Sequence, residues 1–214
     1  MNTGFTWGHA IDDSSTFTNV STITIPNTNH NFRRATSDFD QNLIFRTTAV
    51  WNLPSFFPTN RLANELLSSW ILSGLGVADA GQPMSVGDGA DESATGTGLD
   101  LADRVPGVPV FVHKRLNINA FKDNAPGTFG NSGRNAYRSL SYEDVDVALQ
   151  KTFPIVKEYS IIFRAEEFNV LNHPNLWGAN TAYVAPTPGQ PSTFGQYLSA
   201  RDQRIMQFSL KFSF

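Results

Sequence analysis

The chain has 214 residues, a formal net charge of −3, 16% charged and 12% aromatic residues, 17 phenylalanines and no cysteine. Without cysteine there are no disulfides, thiolate metal centres or cysteine nucleophiles, and the slightly acidic balance gives no basic footprint for nucleic acid. No apolar run reaches the ~18 residues of a membrane-crossing helix, while low charge with many aromatics fits a soluble β-sandwich or a β-barrel, where an inward polar set dilutes the outward apolar one.

The start, Met1-Asn-Thr-Gly-Phe-Thr-Trp-Gly-His-Ala10, has neither a basic nor a long apolar region and is not a secretory signal. An exported protein with such a start is expected to be the tail of a longer precursor. Six segments then alternate with period two, the mark of a strand with one dry and one wet side. The first, 3–11, sets Phe5, Trp7, His9 and Ile11 on one parity. The second, 41–53, sets Leu43, Phe45, Thr47, Ala49, Trp51 and Leu53 against the more polar Asn42, Ile44, Arg46, Thr48, Val50 and Asn52. The third, 68–80, is rich in glycine and its facing is ambiguous. The fourth, 142–153, opposes Val145, Val147 and Leu149 to Asp144, Asp146, Ala148 and Gln150. The fifth spans 159–170. In the sixth, 204–214, Met206, Phe208, Leu210, Phe212 and Phe214 oppose Gln207, Ser209, Lys211 and Ser213, broken only by Ile205.

The connections alternate long and short: 12–40, then 54–67, then 81–141, then 154–157, then 171–203. That is the rhythm of an up-and-down barrel with turns at one end and large loops at the other. The fold predicted is all-β: an antiparallel, up-and-down transmembrane β-barrel segment of about six to eight strands, an open partial barrel with long extracellular loops. The Gly- and Asp-rich stretch 81–98 and the Pro-rich stretch 185–191 predict mobile surface loops. Within 80–141, the segment 108–113 is the best candidate for an additional strand.

On the polar parity, Asp144, Asp146, Arg164, Glu166 and Lys211 are expected to line a lumen and satisfy one another as cross-strand charge pairs. Glu166 and Glu167 are no acid–base pair, because neighbours on a strand point to opposite faces. His9, His30, His113 and His173 show no metal-ligand spacing. Asp88-Gly-Ala-Asp-Glu92 lacks the alternating oxygens of an EF-hand loop and reads as a solvated acidic loop. Gly96-Thr-Gly98 does not continue into a phosphate-binding fingerprint, and no serine has a nucleophile-elbow context. The expectation is a non-enzyme with no metal and no cofactor.

Several motifs occur in a telling order: Gly130-Asn-Ser-Gly-Arg-Asn135, Phe163-Arg-Ala-Glu166, Phe168-Asn169, Asn172-His-Pro-Asn175, Thr193-Phe-Gly195, Arg201-Asp202 and the Phe-Ser-Phe end. Upstream stand Phe5-Thr-Trp7, Ile11-Asp-Asp13, Ser37-Asp-Phe-Asp40 and Trp70-Ile-Leu-Ser-Gly74. The ordered set resembles the C-terminal barrel part of the Oar-like TonB-dependent outer-membrane receptors of acidobacterial type. The resemblance implies a barrel of about 22 strands, a plug and a TonB-contacting segment ahead of these strands, and uptake of a ligand that the sequence does not name. It implies contact with outer-membrane lipid, with TonB only through the N-terminal part missing here, and with the barrel-assembly machinery, which recognises an aromatic-tipped last strand such as Phe208, Leu210, Phe212 and Phe214. Nucleic acid is not an expected partner. By itself the chain is expected neither to transport nor to catalyse.

Two positions depart from the family pattern: Leu171 replaces a more usual aromatic, and Glu167 a more usual apolar residue. Alternation from Phe163 turns Glu167 toward lipid, so a bulge near Glu166-Glu167 is predicted, returning Phe168 and Val170 to the outer face. The alternatives are a self-contained small outer-membrane barrel or adhesin-like protein, and a soluble carbohydrate-binding β-sandwich.

Overall fold

The computed structural model describes residues 1–15, 33–55, 59–96, 100–156 and 158–214. Its frame is a six-stranded antiparallel sheet of β1 (Asn2–Trp7), β2 (Leu43–Asn52), β3 (Ile71–Asp79), β4 (Tyr142–Val156), β5 (Tyr159–Phe168) and β6 (Ile205–Ser213), with each strand beside its neighbour in sequence. The six predicted strands are all present in the predicted order. The sheet is not closed: β1 and β6 are its two edges.

Pairing fixes the two faces. Ala165 lies opposite Leu149 and Phe208, and Phe163 opposite Lys151 and Leu210, on one face. Arg164 lies opposite Gln150 and Ser209 on the other. The dry face carries Phe5, Trp7, Phe45, Trp51, Phe208, Leu210 and Phe212, all exposed; Trp7 is 76% and Leu210 74% accessible. At one end of the dry face Tyr159 stacks on Phe212 at 5.8 Å, and Trp70 meets Phe153 and Phe163 edge-on at 6.4 and 6.0 Å.

The expected bulge at Glu166-Glu167 is absent. Glu167 pairs in register with Val147 and Met206, and Phe168 follows onto the polar face opposite Ile205. The carboxylate needs no bulge because it sits at the strand's rim, where Arg204 Nε approaches it at 3.5 Å. The register shift falls instead between Pro154 and Val156, where proline has no N–H to give to the ladder. The first strand is also shorter than expected. It ends at Trp7, and Ile11–Asp12 turns away to pair with Ala35–Thr36, held by the Asp40 carboxylate on the Ala10 N–H at 2.5 Å.

The two ends of the sheet differ. At the hairpin end lie the turn between β4 and β5 and a short helix, α1 (Arg61–Leu67), which the sequence reading missed. Asn60 caps it by accepting from the Ala63 N–H at 3.1 Å, and Trp70 Nε1 donates to the Leu66 carbonyl at 3.1 Å. Lys151, on the dry face, is rescued here: its ammonium donates to the Ser68 carbonyl and lies 5.7 Å and 5.3 Å from the Trp70 and Phe153 rings.

At the loop end, part of the 81–98 stretch expected to be mobile is folded into a core with neighbouring loop segments. Val86, Ala102, Leu116, Ala120, Phe121, Tyr137, Tyr183 and Phe194 form a buried cluster, knit by edge-on contacts of Phe121 with Tyr137 (5.5 Å) and Phe194 (5.6 Å). Gly87 bridges to both Leu101 and Ala182. Gly130, at φ 72°, packs so closely that a Cβ there would stand 1.7 Å from the Leu101 carbonyl oxygen. The segment 108–113 supplies no barrel strand, since Phe111–Val112 pairs only with Arg115–Leu116 in a small hairpin. The Pro-rich stretch 185–191 stays on the surface.

A buried guanidinium ties this cap together. Arg134, its side chain 6% accessible, meets the Asp12 carboxylate at 2.6 Å and donates to the carbonyls of Asp12 (2.7 Å) and Arg33 (3.2 Å). Arg138 pairs with the buried Asp40 in the same way. Burial pushes the Asp12 carboxyl up, but hydrogen bonds from Arg134, Ser15 and Ser37 and the Arg134 charge outweigh it and hold it below the usual range. Asp40 is lowered likewise, its burial outweighed by the Ala10 N–H and Arg138.

Candidate functional site

The polar face of the sheet runs into a cavity of about 600 Å³ at the loop end. The end of β5 and the turn after it build the near wall. Asn169 and Asn172 take left-handed conformations, φ 49° and 50°, which asparagine tolerates better than most residues. The Asn169 side chain then closes the turn, accepting from the His173 N–H (2.9 Å) and donating to the carbonyls of His173 (3.1 Å) and Asp202 (3.3 Å). Asn175, buried, docks the turn on β4: its oxygen accepts from the Glu143 N–H at 2.9 Å and its nitrogen donates to the Glu143 carbonyl at 2.7 Å. The motifs Phe168-Asn169 and Asn172-His-Pro-Asn175 are therefore loop anchors, and His173 is part of the turn.

Chemically the cavity is mixed. Asp144, Asp146 and Asp202 line it with Arg201, and Tyr142, Phe168 and Trp177 offer aromatic surface. Asp146 accepts from the Asn169 N–H at 3.0 Å, and Asp144 accepts from the Tyr142 hydroxyl at 3.0 Å. The second oxygen of Asp144 is buried without a hydrogen-bond partner among the described residues. Arg201 stacks over the Tyr142 ring at 4.9 Å. Such a surface can hold a polar ligand by carboxylate hydrogen bonds while a ring covers its apolar side.

The five predicted polar residues share the face but do not form one network. Arg164 meets Glu166 at 2.7 Å within β5 and donates to Gln150 at 3.2 Å, while Gln207 donates to Glu166 at 3.3 Å. Asp144 and Asp146 lie nearer the loop end, in the cavity. Lys211, opposite Ile162, stands toward the hairpin end. The cross-strand partners are thus glutamines rather than opposite charges. Trp177, Arg201, Asn169 and Asn175 were not foreseen as site residues: Asn169, Asn175 and Arg201 stood out only as members of ordered motifs, and Trp177 sits on the short strand Leu176–Ala179, outside the six long alternating segments. Among the described residues no three His, Cys, Asp or Glu side chains converge as a metal site.

A family model described as outer membrane beta barrel domain matches residues 1–207. The chain belongs to that family. No curated protein and no solved structure matches it. As an outer-membrane barrel domain, the protein resides in the outer membrane, with its dry face against lipid. The sandwich alternative fails on the same face, where Phe208 and Leu210 are exposed and no second sheet covers them among the described residues. Barrels of this kind place short turns in the periplasm and long loops outside, so the hairpin end is periplasmic and the folded cap extracellular. The cavity then lies at the outer mouth of the lumen.

Proposed function

We propose that this barrel domain is the wall and outer mouth of a TonB-dependent receptor, and that the cavity of Asp144, Asp146, Arg201 and Trp177 meets the ligand on its way in. The observation that carries the reading is the pair of open sheet edges beside a folded extracellular cap. Hydrocarbon tolerates no unpaired strand edge, so β1 and β6 must be paired by further strands, as in a larger barrel. The ordered motifs from Phe5-Thr-Trp7 to Arg201-Asp202 support the same receptor type. In those receptors the plug and the TonB-contacting segment precede the barrel strands, and transport energy would enter there. In this reading the chain catalyses nothing. Phe208, Leu210, Phe212 and Phe214, exposed along edge strand β6, form the signal read by the barrel-assembly machinery.

Immunoblotting of isolated outer membranes with an antibody to 185–200 tests the reading. A band several times heavier than 23.6 kDa is expected. A heat-modifiable band at 23.6 kDa, or a ladder of copies that collapses to it on boiling, would overturn the receptor reading. For the assembly signal, deleting Phe214 and replacing Phe212 should lower the amount reaching the outer membrane; an unchanged amount counts against it.

A further inference from the structure

Within the acidic stretch 88–92, which reads in sequence as a solvated loop, Asp91 and Glu92 are half-buried but Asp88 is fully buried. Asp88 is 3% and Asp100 0% accessible, and Asn124, from a third loop segment, is 3%. Each keeps one side-chain oxygen buried with no hydrogen-bond partner among the described residues: Asp88 Oδ2, Asp100 Oδ1 and Asn124 Oδ1. The rest of each side chain is used. Asp88 Oδ1 accepts from the Ala90 N–H at 2.9 Å, Asp100 Oδ2 from the Ser93 N–H at 2.5 Å, and the Asn124 nitrogen donates to the Thr128 carbonyl at 2.6 Å. What remains is a set of bare buried oxygens, each of them costly to leave unmet.

The three segments touch. The Asp88 N–H donates to the Asp100 carbonyl at 3.0 Å, the Asp100 N–H to the Ala90 carbonyl at 2.9 Å, and the Gly127 N–H to the Glu92 carbonyl at 2.7 Å. Burial, and then the charges of Asp100, Glu92 and Asp123, push the Asp88 carboxyl above its usual range. Two neighbouring buried carboxylates repel each other, so a positive charge or a proton stabilises the pair. We propose that Asp88, Asp100 and Asn124 bind a calcium ion that staples the three loop segments of the extracellular cap. All three donors are hard oxygens, which suits calcium and not the softer metals that seek imidazole or thiolate. Only two are carboxylates and the third is an amide oxygen, so the set differs from a cluster of three acidic or imidazole ligands, of which there is none among the described residues. Neighbouring carbonyls and water complete the six to eight ligands that calcium takes. The site is independent of the receptor reading.

Terbium luminescence on the full-length protein, extracted in detergent from outer membranes, tests this. Tyr183 lies close enough to Asp123 to feel its charge and serves as the sensitiser. Saturable emission is expected, displaced by calcium with a midpoint of about 0.1–1 mM, the range of extracellular calcium modules, and not by equal magnesium. Asp88→Asn and Asn124→Ala should each weaken terbium binding by about tenfold or more. Asp91→Asn should not, because Ser93, Thr95 and Gly96 already take up that carboxylate. As a second readout on the wild type, calcium should protect the 88–130 loops from protease relative to EGTA. No saturable emission, equal affinity in both variants, or equal protease resistance in calcium and EGTA with protection gained only by acid would overturn the proposal, the last outcome meaning that a proton on Asp88 does the work.

Discussion

Arg134 is the place to break the extracellular cap without touching the membrane sheet. Its guanidinium, 6% accessible, joins the Asp12 carboxylate, 23% accessible, at 2.6 Å and also donates to Ser15 Oγ at 3.1 Å and to backbone carbonyls of the 33–35 stretch. Arg134→Ala leaves Asp12 as a half-buried carboxylate without its cation. Removing one partner of a buried pair costs about 3–5 kcal/mol. Water can reach part of Asp12, so the low end applies: about 3 kcal/mol, or roughly a hundredfold in local opening. Hydrogen exchange on protein in outer-membrane vesicles reads this directly. The amides of Ser37, bonded to the Ala10 carbonyl at 3.0 Å, and of Asp38, bonded to Ser15 Oγ at 2.7 Å, should exchange about a hundredfold faster. The amides of β4 and β5 should not change. Arg134→Lys, which keeps the charge but loses the fork, should fall between. Protection at Ser37 and Asp38 that survives Arg134→Ala would refute the clamp, and so would equal loss of protection throughout β4 and β5.

Acid should loosen the same cap. The lowered Asp12 and Asp40 carboxyls contribute stability that is present above their unfolded value of ~3.9 and lost as pH falls through the folded values. Protease resistance of the cap should therefore hold from pH 8 to 5 and decline only below about pH 4; a decline centred near pH 6 would contradict it. Phe121→Ala, at a site 2% accessible between Tyr137 and Phe194, should destabilise the cap by about 3–5 kcal/mol, read as lost near-UV circular dichroism with the strand signal intact. Lys151→Ala removes the donation to Ser68 and the charge beside two rings. It should lower the urea midpoint for barrel unfolding by the equivalent of about 1–3 kcal/mol, and a rise in the midpoint would mean that the lysine costs more at the membrane surface than its contacts return.

The sheet was legible because lipid on one side and a polar lumen on the other impose a period of two, which Met206 to Phe212 carry without a break and Leu43 to Trp51 carry with Ile44 and Val50 as the exceptions. Where that symmetry fails, the pattern misleads. Glu167 reads as a charge in lipid only if its depth is ignored, and at the rim beside Arg204 it needs no bulge. Lys151 stands on the dry face unnoticed because its partner, the Ser68 carbonyl, comes from the backbone of another connection. The cap escaped because its core is drawn from residues far apart in sequence, such as Val86, Phe121, Tyr183 and Phe194, spaced by glycines and prolines that read as mobility. Asp88 shows the same limit most sharply. A spacing rule recognises ligands supplied by one loop, as in an EF-hand, and Asp88–Glu92 does not have that spacing. The bare oxygens of Asp88, Asp100 and Asn124 come from three segments, and the close approach of Gly130 to Leu101, the 88–100 backbone pairing and the Gly127–Glu92 bond hold those segments against one another. A site of that kind is encoded in the small residues that let the loops touch as much as in the ligands themselves, so replacing Gly130 by alanine should abolish calcium protection as completely as losing Asp88.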